Sequence, residues 1–368
     1  MTTKIYSFVA FFLLLTMESV SILFSQTTHP SQITNNRSLV LVSNATWFDA
    51  SRNRNIPVKI YFPSERKEKC PVIIFSHGLG GSNEKCAYLG QSWAANDFIS
   101  VHIQHHGLDE DVWKGKIRPI KGLRDVYDQH WSGRLQANDI RFVLTQLDLF
   151  AKSDSSFGKM LDMSHVGAAG YDLGGLASML VAGQIPPDGG FHLHDTRIKA
   201  IIVMSPPVFT SPALASQVYS TMKTPALFFT GTNDNGIIGT TQSWQRRIPF
   251  DFMLDADRFL ITYQDADHLI YAGHDIRVTK TESDHKYQSN IAQASLLFWR
   301  AYLRNELAVQ AYFQGPTLGG IAGTLGRVER RLVKSGQVTH TSYNKATAFD
   351  SNSVTIQSLK PHKSVQSN

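Results

Sequence analysis

The chain has few cysteines: of its 368 residues, only Cys70 and Cys86 are cysteine. Cys70 comes just before a predicted strand, and Cys86 lies on the predicted helix that follows that strand. A strand of six residues is about 20 Å long, so the two side chains are expected at opposite ends of it. A disulfide needs Cα atoms much closer than this. We therefore expect both cysteines to remain thiols.

Most of the chain also has little net charge. The formal net charge is +6, and residues 325–368 contribute +5 of it because seven Lys or Arg face two acidic residues there. The remainder is close to neutral and has no basic patch for nucleic acid, so nucleic acid is not an expected partner. With 42% hydrophobic and 18% charged residues, the chain can bury a large core.

Metal and phosphate signatures are missing as well. The fourteen histidines include His102, His105 and His106 near one strand end, but their spacing matches no zinc signature. The glycine pairs are not followed by the Lys-Ser/Thr pair of a phosphate-binding loop. We therefore expect neither a metal nor a cofactor.

Both ends of the chain have a composition unlike the middle. Residues 1–26 are predicted to be a secretory signal, with Lys4 before an apolar run from Phe8 to Leu15. Glu18 interrupts the apolar run, which favours removal of the signal over a lasting membrane span. The protein is thus predicted to be secreted or periplasmic, and the alternative is a membrane anchor through residues 5–24. Residues 27–37 are predicted to be a polar linker, 38–320 the folded domain, and 325–368 a disordered basic tail.

Apolar strands and amphipathic helices alternate between these ends, which predicts an α/β fold with a mostly parallel central sheet and helices on both faces. The first two strands are predicted to pair antiparallel, and the segment 108–131 is predicted to be a long irregular loop at the wall of an active site. Strands are predicted at 38–42, 58–62, 71–75, 98–103, 165–171, 198–204, 226–230 and 258–262, and helices at 83–95, 132–150 and 292–307.

The sequence Gly170-Tyr171-Asp172-Leu173-Gly174 has the pattern of a nucleophile elbow, with a predicted strand before it and a helix after it. Gly170 and Gly174 permit the sharp turn that raises the central side chain above the sheet. That central residue is Ser or Cys in most such turns, and here it is Asp172.

Two further polar residues follow predicted strands, so that Asp172, Asp234 and His268 stand in the order nucleophile, acid and histidine. Because the carboxyl ends of parallel strands converge on one crevice, the three side chains are expected to meet there. Asp265 and Asp267 are rival acids that fit better as residues shaping the loop before His268. An earlier motif, Ser76–Gly81, is expected to supply an oxyanion-hole donor from the Leu79 N–H, and the Leu173 N–H is the expected second donor.

These motifs resemble those of secreted α/β hydrolases of the dienelactone hydrolase and platelet-activating-factor acetylhydrolase-like group, which includes polyester hydrolases. The resemblance covers about residues 57–307. It implies an α/β-hydrolase fold without a large cap domain, hydrolysis of a small carboxylic ester with no cofactor, Asp234 as the acid and His268 as the base. The carrying segments are Ser76–Gly81, Gln104–Gly107, Gly170–Gly175, Asp234 and Asp267-His268.

Asp172 leaves three hypotheses open. The preferred one is a hydrolase of a small ester or lactone that uses the elbow carboxylate as nucleophile, or uses it together with His268 to activate water. The second is an epoxide hydrolase or dehalogenase-like enzyme, although Leu173 stands where those families carry Trp and the connections 183–197 and 205–225 are short for a cap. In the third, two carboxylates hold His268 protonated, and the chain is an inactive binding protein.

Overall fold

The computed structural model describes residues 38–65, 68–272, 282–334 and 337–342. The predicted signal, the predicted linker and most of the predicted tail lie outside these residues. The described strands form one mixed sheet in the order β1-β2-β4-β3-β5-β6-β7-β8-β9-β10. Their bounds are β1 Val40–Asp49, β2 Arg54–Pro63, β3 Cys70–Ser76, β4 Ile99–Ile103, β5 Leu161–Tyr171, β6 Ile198–Met204, β7 Ala226–Asn233, β8 Arg258–Asp267, β9 Gly326–Lys334 and β10 Gln337–Ser342.

The strands from β4 to β8 pair in parallel, and antiparallel pairs flank them on both sides. β3 and β4 are buried along their whole length, as expected of strands covered on both faces. The side chains of β3 alternate between two cores: Val72 and Ile74 belong to one, and Ile73 and Phe75 to the other. This two-sided burial confirms the predicted α/β class and its mostly parallel sheet.

The helices divide between the two faces of the sheet according to the core that each one joins. One core contains buried residues of α3, α5, α6 and α7, and the other contains residues of α1, α8 and α9. The bounds are α1 Ala87–Ala94, α2 Pro119–His130, α3 Arg134–Ala151, α4 Ser156–Met160, α5 Leu173–Val181, α6 Pro212–Tyr219, α7 Ile248–Phe252, α8 Glu282–Tyr302 and α9 Leu307–Gln314. No helix in the described part of the chain has both the length and the apolar character needed to cross a bilayer.

The segment 108–131 is more regular than predicted, because it contains α2 and a short 3-10 helix at Glu110–Val112. Leu123 is the buried residue of α2, and the other side chains of this helix are at least partly exposed. The first and last helices also differ from expectation. The first begins at Ala87. The predicted closing helix begins earlier, at Glu282, and ends at Tyr302, and a further helix, α9, begins at Leu307.

The predicted boundary of the disordered tail at Leu325 is wrong for its first residues. Gly326–Lys334 forms β9, which pairs antiparallel with β8 and extends the sheet. Val328 and Leu332 are buried in the core, while Glu329 pairs with Arg247 at 2.9 Å. Two of the charges that suggested a solvated tail, Glu329 and Arg331, are therefore ion-pair partners on this strand. The rest of the predicted tail, beyond Ser342, lies outside the described residues.

Candidate active site

Asp172 stands at the sharp turn between β5 and α5. Its backbone has φ 54° and ψ −122°, a conformation that few non-glycine residues adopt. The Asp172 N–H donates a hydrogen bond to the Met204 carbonyl at 3.0 Å, which fastens the turn to β6. A Cβ on Gly170 would collide with the Gly174 carbonyl, and a Cβ on Gly174 would collide with the Ser76 carbonyl. The two elbow glycines are therefore required by close backbone packing.

The carboxylate of Asp172 faces two different partners. The Leu79 N–H donates a hydrogen bond to Oδ2 at 3.0 Å. Oδ1 lies 3.8 Å from Nε2 of His268, which is beyond direct hydrogen-bond distance. One oxygen is thus held by the backbone, while the other points toward the histidine.

His268 and Asp234 meet as the sequence predicts. Asp234 directly follows β7, and His268 directly follows β8, so both lie at the carboxyl edge of the sheet. Nδ1 of His268 lies 3.0 Å from Oδ1 of Asp234, whose side chain is fully buried. The hydroxyl of Thr230 donates to the other oxygen of Asp234 at 3.0 Å. The three predicted side chains therefore come together in one place, with Nε2 of the imidazole toward Asp172.

Two further residues of this cluster were not predicted. The Ser205 hydroxyl donates to Oδ1 of Asp234 at 2.6 Å and lies 2.6 Å from Nδ1 of His268. Arg246, which is 1% exposed, lies with Nε 2.9 Å from Oδ1 of Asp234 and Nη2 3.2 Å from Nδ1 of His268. Neither residue belongs to a recognisable motif, and nothing in the sequence distinguishes Arg246 from its neighbour Arg247.

A second Ser-His-Asp arrangement lies next to the loop Gly78–Gly81, which is called the oxyanion loop here because Leu79 is the predicted oxyanion-hole donor. Oγ of Ser76 is 2.9 Å from Nε2 of His105, and Nδ1 of His105 is 2.9 Å from Oδ2 of Asp139. All three residues are fully buried, and none of them lines the pocket above Asp172 that is described below. Asp139 also pairs with Arg52 at 2.6 Å and with Arg54 at 3.0 Å. This arrangement is a buried network of the fold, since the Ser76 side chain has no exposed surface at which a substrate could reach it.

His77 connects this network to the oxyanion loop. Its Nε2 accepts a hydrogen bond from the His105 N–H at 3.1 Å, so the proton is assigned to Nδ1, which donates to the Gly78 carbonyl at 2.7 Å. Burial, with a smaller effect of the neighbouring His105, lowers the pKa of His77 to about 3. The neutral ring therefore holds the peptide unit whose N–H, on Leu79, bonds to Asp172.

The pocket above Asp172 and His268 has a volume of about 190 Å³. α2 and the loop 236–241 form much of its wall, so the segment 108–131 does line the site as predicted. Its size and apolar wall suit a small neutral molecule. The apolar lining residues include Ile120, Leu123, Tyr127, Pro207, Ile237 and Ile238.

The described residues also include one cluster that could hold an ion, formed by His106, Asp109 and Asp111, whose ligand atoms lie within 4.8 Å of one another. His106 and Asp111 are exposed, and Nδ1 of His106 bonds to Oδ2 of Asp109 at 3.1 Å. None of the three lines the pocket with Asp172. The cluster therefore has no evident part in chemistry at the elbow.

Comparison with known proteins supports the same class. Residues 35–111 match the family model described as platelet-activating factor acetylhydrolase, isoform II. The match confirms a hydrolase similar to this acetylhydrolase group, with an α/β-hydrolase fold. It spans β1 to β4 and the Leu79 loop, and it ends before Asp172, Asp234 and His268. No curated protein matches the chain.

Proposed function

We propose that the protein is a cofactor-independent hydrolase of a small, neutral carboxylic ester or lactone, and that Asp172 is its nucleophile. The observation that carries this proposal is the arrangement of the Asp172 carboxylate. The Leu79 N–H holds Oδ2 at 3.0 Å, and Oδ1 faces Nε2 of His268 at 3.8 Å. The acetylhydrolase family match supports ester-type substrates.

The Leu79 hydrogen bond favours attack on the alkyl carbon of the substrate over attack on its carbonyl carbon. Attack on the carbonyl would create an oxyanion that needs the donors of the oxyanion hole. Oδ2 of Asp172 already occupies the Leu79 donor. Attack by Oδ1 on the alkyl carbon forms an alkyl ester with Asp172, breaks the alkyl carbon–oxygen bond and releases a carboxylate, so no oxyanion needs the hole in this step.

The second step returns the enzyme to its starting state. Water attacks the carbonyl carbon of the Asp172 ester while Nε2 of His268 accepts its proton, and Asp234 orients the imidazole through Nδ1. The former Oδ2 becomes the oxyanion, which the Leu79 N–H and, as proposed, the Leu173 N–H stabilise. Collapse of this intermediate expels the alcohol and restores the carboxylate. The 3.8 Å gap between Nε2 and Oδ1 is compatible with a water that approaches both groups.

The same donor geometry gives a second candidate activity. An epoxide or an alkyl halide also presents an electrophilic sp³ carbon, and the same two steps would hydrolyse it. The pocket contributes Tyr127, which could approach a leaving group from the wall. The ester or lactone remains the preferred substrate class because of the acetylhydrolase match.

Oxygen-18 labelling tests the proposed chemistry directly. The full chain in excess is mixed with a short alkyl ester or a β-lactone in H₂¹⁸O, and the first turnover is analysed by mass spectrometry. We expect the alcohol oxygen to be unlabelled, because it comes from Asp172, and we expect one ¹⁸O to remain in the Asp172 peptide. An ester that carries ¹⁸O in its alkoxy oxygen, hydrolysed in ordinary water, separates the two sites of attack. The label leaves in the carboxylate after attack on the alkyl carbon and in the alcohol after attack on the carbonyl carbon. If Asp172→Ala hydrolyses esters and lactones as fast as the wild type, the proposed function is wrong.

A nitrophenyl ester of the same acid is a matched probe for these experiments. The oxygen of this ester is bonded to an aromatic carbon, which does not undergo backside displacement. We expect the alkyl ester or lactone to be hydrolysed and the nitrophenyl ester to be a poor substrate of the wild type.

A further inference from the structure

We propose that Arg246 is a positioning residue of the active site, which clamps the acid–base pair and supplies the positive charge that lets His268 act as a base between two carboxylates. This inference rests on the proposed function. It concerns a residue that contacts the base and the acid directly, but has no place in the predicted nucleophile, acid and histidine.

Arg246 reaches three segments of the site with one side chain. Nε donates to the Asp234 carbonyl at 2.7 Å, and Nη1 donates to the Ser205 and Pro206 carbonyls at 2.8 and 2.7 Å. Nη2 lies 3.2 Å from Nδ1 of His268. The planar guanidinium, fixed by these carbonyl groups, holds the chain after β6 and the chain after β7 in one arrangement. Because Nδ1 carries the proton that Asp234 accepts, Nη2 makes no hydrogen bond to the ring and instead places its positive charge beside it.

The positive charge of Arg246 has a second effect, because two carboxylates face His268. The carboxylates of Asp172 and Asp234 both face the imidazole, at 3.8 and 3.0 Å. Without a cation, they would favour an imidazolium that cannot take a proton from water. One guanidinium leaves the cluster with a single net negative charge, which is the charge of a Ser-His-Asp site.

The other ionisable groups near His268 do not replace this cation. Tyr171 donates its hydroxyl to the His268 carbonyl at 2.9 Å, and its ring lies beside the imidazole. Burial raises the pKa of Tyr171 and of Tyr271 well above the usual range, so both phenols are neutral. The Asp267 carboxylate accepts the Leu269 N–H at 2.9 Å. Among the described residues facing the imidazole, Arg246 therefore supplies the positive charge.

Arg247 provides a matched control in the same short 3-10 helix, Ser243–Arg247. It pairs with Asp251 at 2.8 Å and with Glu329 at 2.9 Å, and its contacts join α7 to β9. Arg247→Met removes one arginine and two ion pairs from the same element without touching His268 or Asp234. Any loss that follows from weakening this helix should appear in both variants.

The experiment compares Arg246→Met, Arg246→Lys and Arg247→Met with the wild type, using the full chain and the alkyl ester. The pH dependence of kcat/KM is measured, and the titration of the His268 ring is followed by NMR, assigned by its absence from His268→Gln. In Arg246→Met we expect the acidic limb of the rate profile and the His268 titration to move to higher pH by about one unit or more, the size of effect that a charge a few ångströms away produces. Arg246→Lys should restore most of this shift, and Arg247→Met should show none.

The two measurements distinguish this inference from the proposed function. If the wild type shows no hydrolysis but the ring titration of Arg246→Met moves upward, the function is wrong and the role of Arg246 stands. If the wild type is active and neither the rate profile nor the ring titration moves in folded Arg246→Met, the role assigned to Arg246 is overturned. A shift of equal size in Arg247→Met would also overturn it.

Discussion

The Leu79 N–H donates a 3.0 Å hydrogen bond to Oδ2 of Asp172, the residue at the nucleophile elbow. In a serine hydrolase the equivalent N–H stabilises the oxyanion that forms on the substrate. Here it holds an oxygen of the enzyme itself, which leaves the other oxygen oriented for attack. In the proposed mechanism, an aspartate at this position, where most such elbows carry serine, therefore changes which carbon of the substrate is attacked.

The charge of Asp172 is predicted to be essential. Asp172→Asn keeps an oxygen that can accept the Leu79 N–H but loses the nucleophilic carboxylate. We expect kcat/KM for the alkyl ester to fall by about 10³-fold or more, the loss seen when a nucleophile is removed. Asp267→Asn, at a carboxylate that caps the turn before Leu269, is the control and should keep most of the activity. Equal losses in the two variants would argue against Asp172 as nucleophile.

Removal of the base is predicted to trap the covalent intermediate. In His268→Gln, Oδ1 of Asp172 can still attack, but no imidazole is present to activate water. We expect mass spectrometry of the Asp172 peptide to show the added mass of the alkyl group. An added acyl mass would mean that an anhydride forms by attack at the carbonyl, and an unmodified peptide with continued turnover would contradict a covalent route.

Much of the fold could be predicted because its signals are local. β3 is a continuous apolar run, and such runs mark strands covered on both faces. β9 was missed because its buried residues, Val328 and Leu332, are separated by charged side chains whose partners lie elsewhere in the chain. α2 could not be recognised as easily, because charged and polar residues surround its few apolar side chains, which contact both the pocket and the core.

Some residues of the candidate site could likewise be predicted from local sequence signals, and others could not. Asp172, Asp234 and His268 could be placed together because each follows a strand and parallel strands end at one edge. Arg246 could not, because its role depends on three carbonyl groups and an imidazole that only the folded chain brings to it. Its burial has no local signal in the sequence.

His77 is predicted to act on the rate through the Gly78–Leu79 peptide. Its Nδ1 donates to the Gly78 carbonyl at 2.7 Å, and a hydrogen bond to a carbonyl polarises the N–H of the same peptide unit. We expect His77→Leu to lower kcat by about 10-fold or more, less than loss of an oxyanion donor itself, with KM changed little. His77→Gln, which can still donate, should recover part of the rate. A change confined to KM would show that His77 shapes the pocket instead.

Buried neutral histidines are predicted to make the fold sensitive to acid. Burial lowers the pKa of His102 to about 3, whereas the unfolded side chain titrates near 6.5. Between pH 6.5 and about pH 3, His102 binds a proton in the unfolded chain but not in the native chain. The free energy of unfolding therefore decreases as the pH falls through this range.

The test is urea unfolding at pH 8 and pH 5 for the wild type and His102→Gln. At pH 5 the unfavourable linkage amounts to up to about 2 kcal/mol for such a histidine. We expect the variant to lose less stability between the two pH values by about this amount, whatever its stability at pH 8. His192→Gln, at an exposed histidine, should lose as much as the wild type. An identical pH dependence in the wild type and His102→Gln would contradict the assignment.

The Asp139 carboxylate is predicted to be the most costly of the buried charges to remove, because three partners depend on it. Burial by itself would raise its pKa, but the hydrogen bonds and charges of His105 and Arg54 lower it overall. Asp139→Asn removes the carboxylate that pairs with Arg54 and one of the two that pair with Arg52, the other being Asp49. Loss of one partner of a buried pair costs about 3–5 kcal/mol in the free energy of unfolding. Asp148→Asn is the matched control, since Asp148 pairs with Arg197 at 2.6 Å and their side chains are 32% and 26% exposed. Its cost should be below about 1 kcal/mol. Equal urea midpoints for the two variants would show that the Asp139 carboxylate contributes no more to stability than a partly exposed ion pair does.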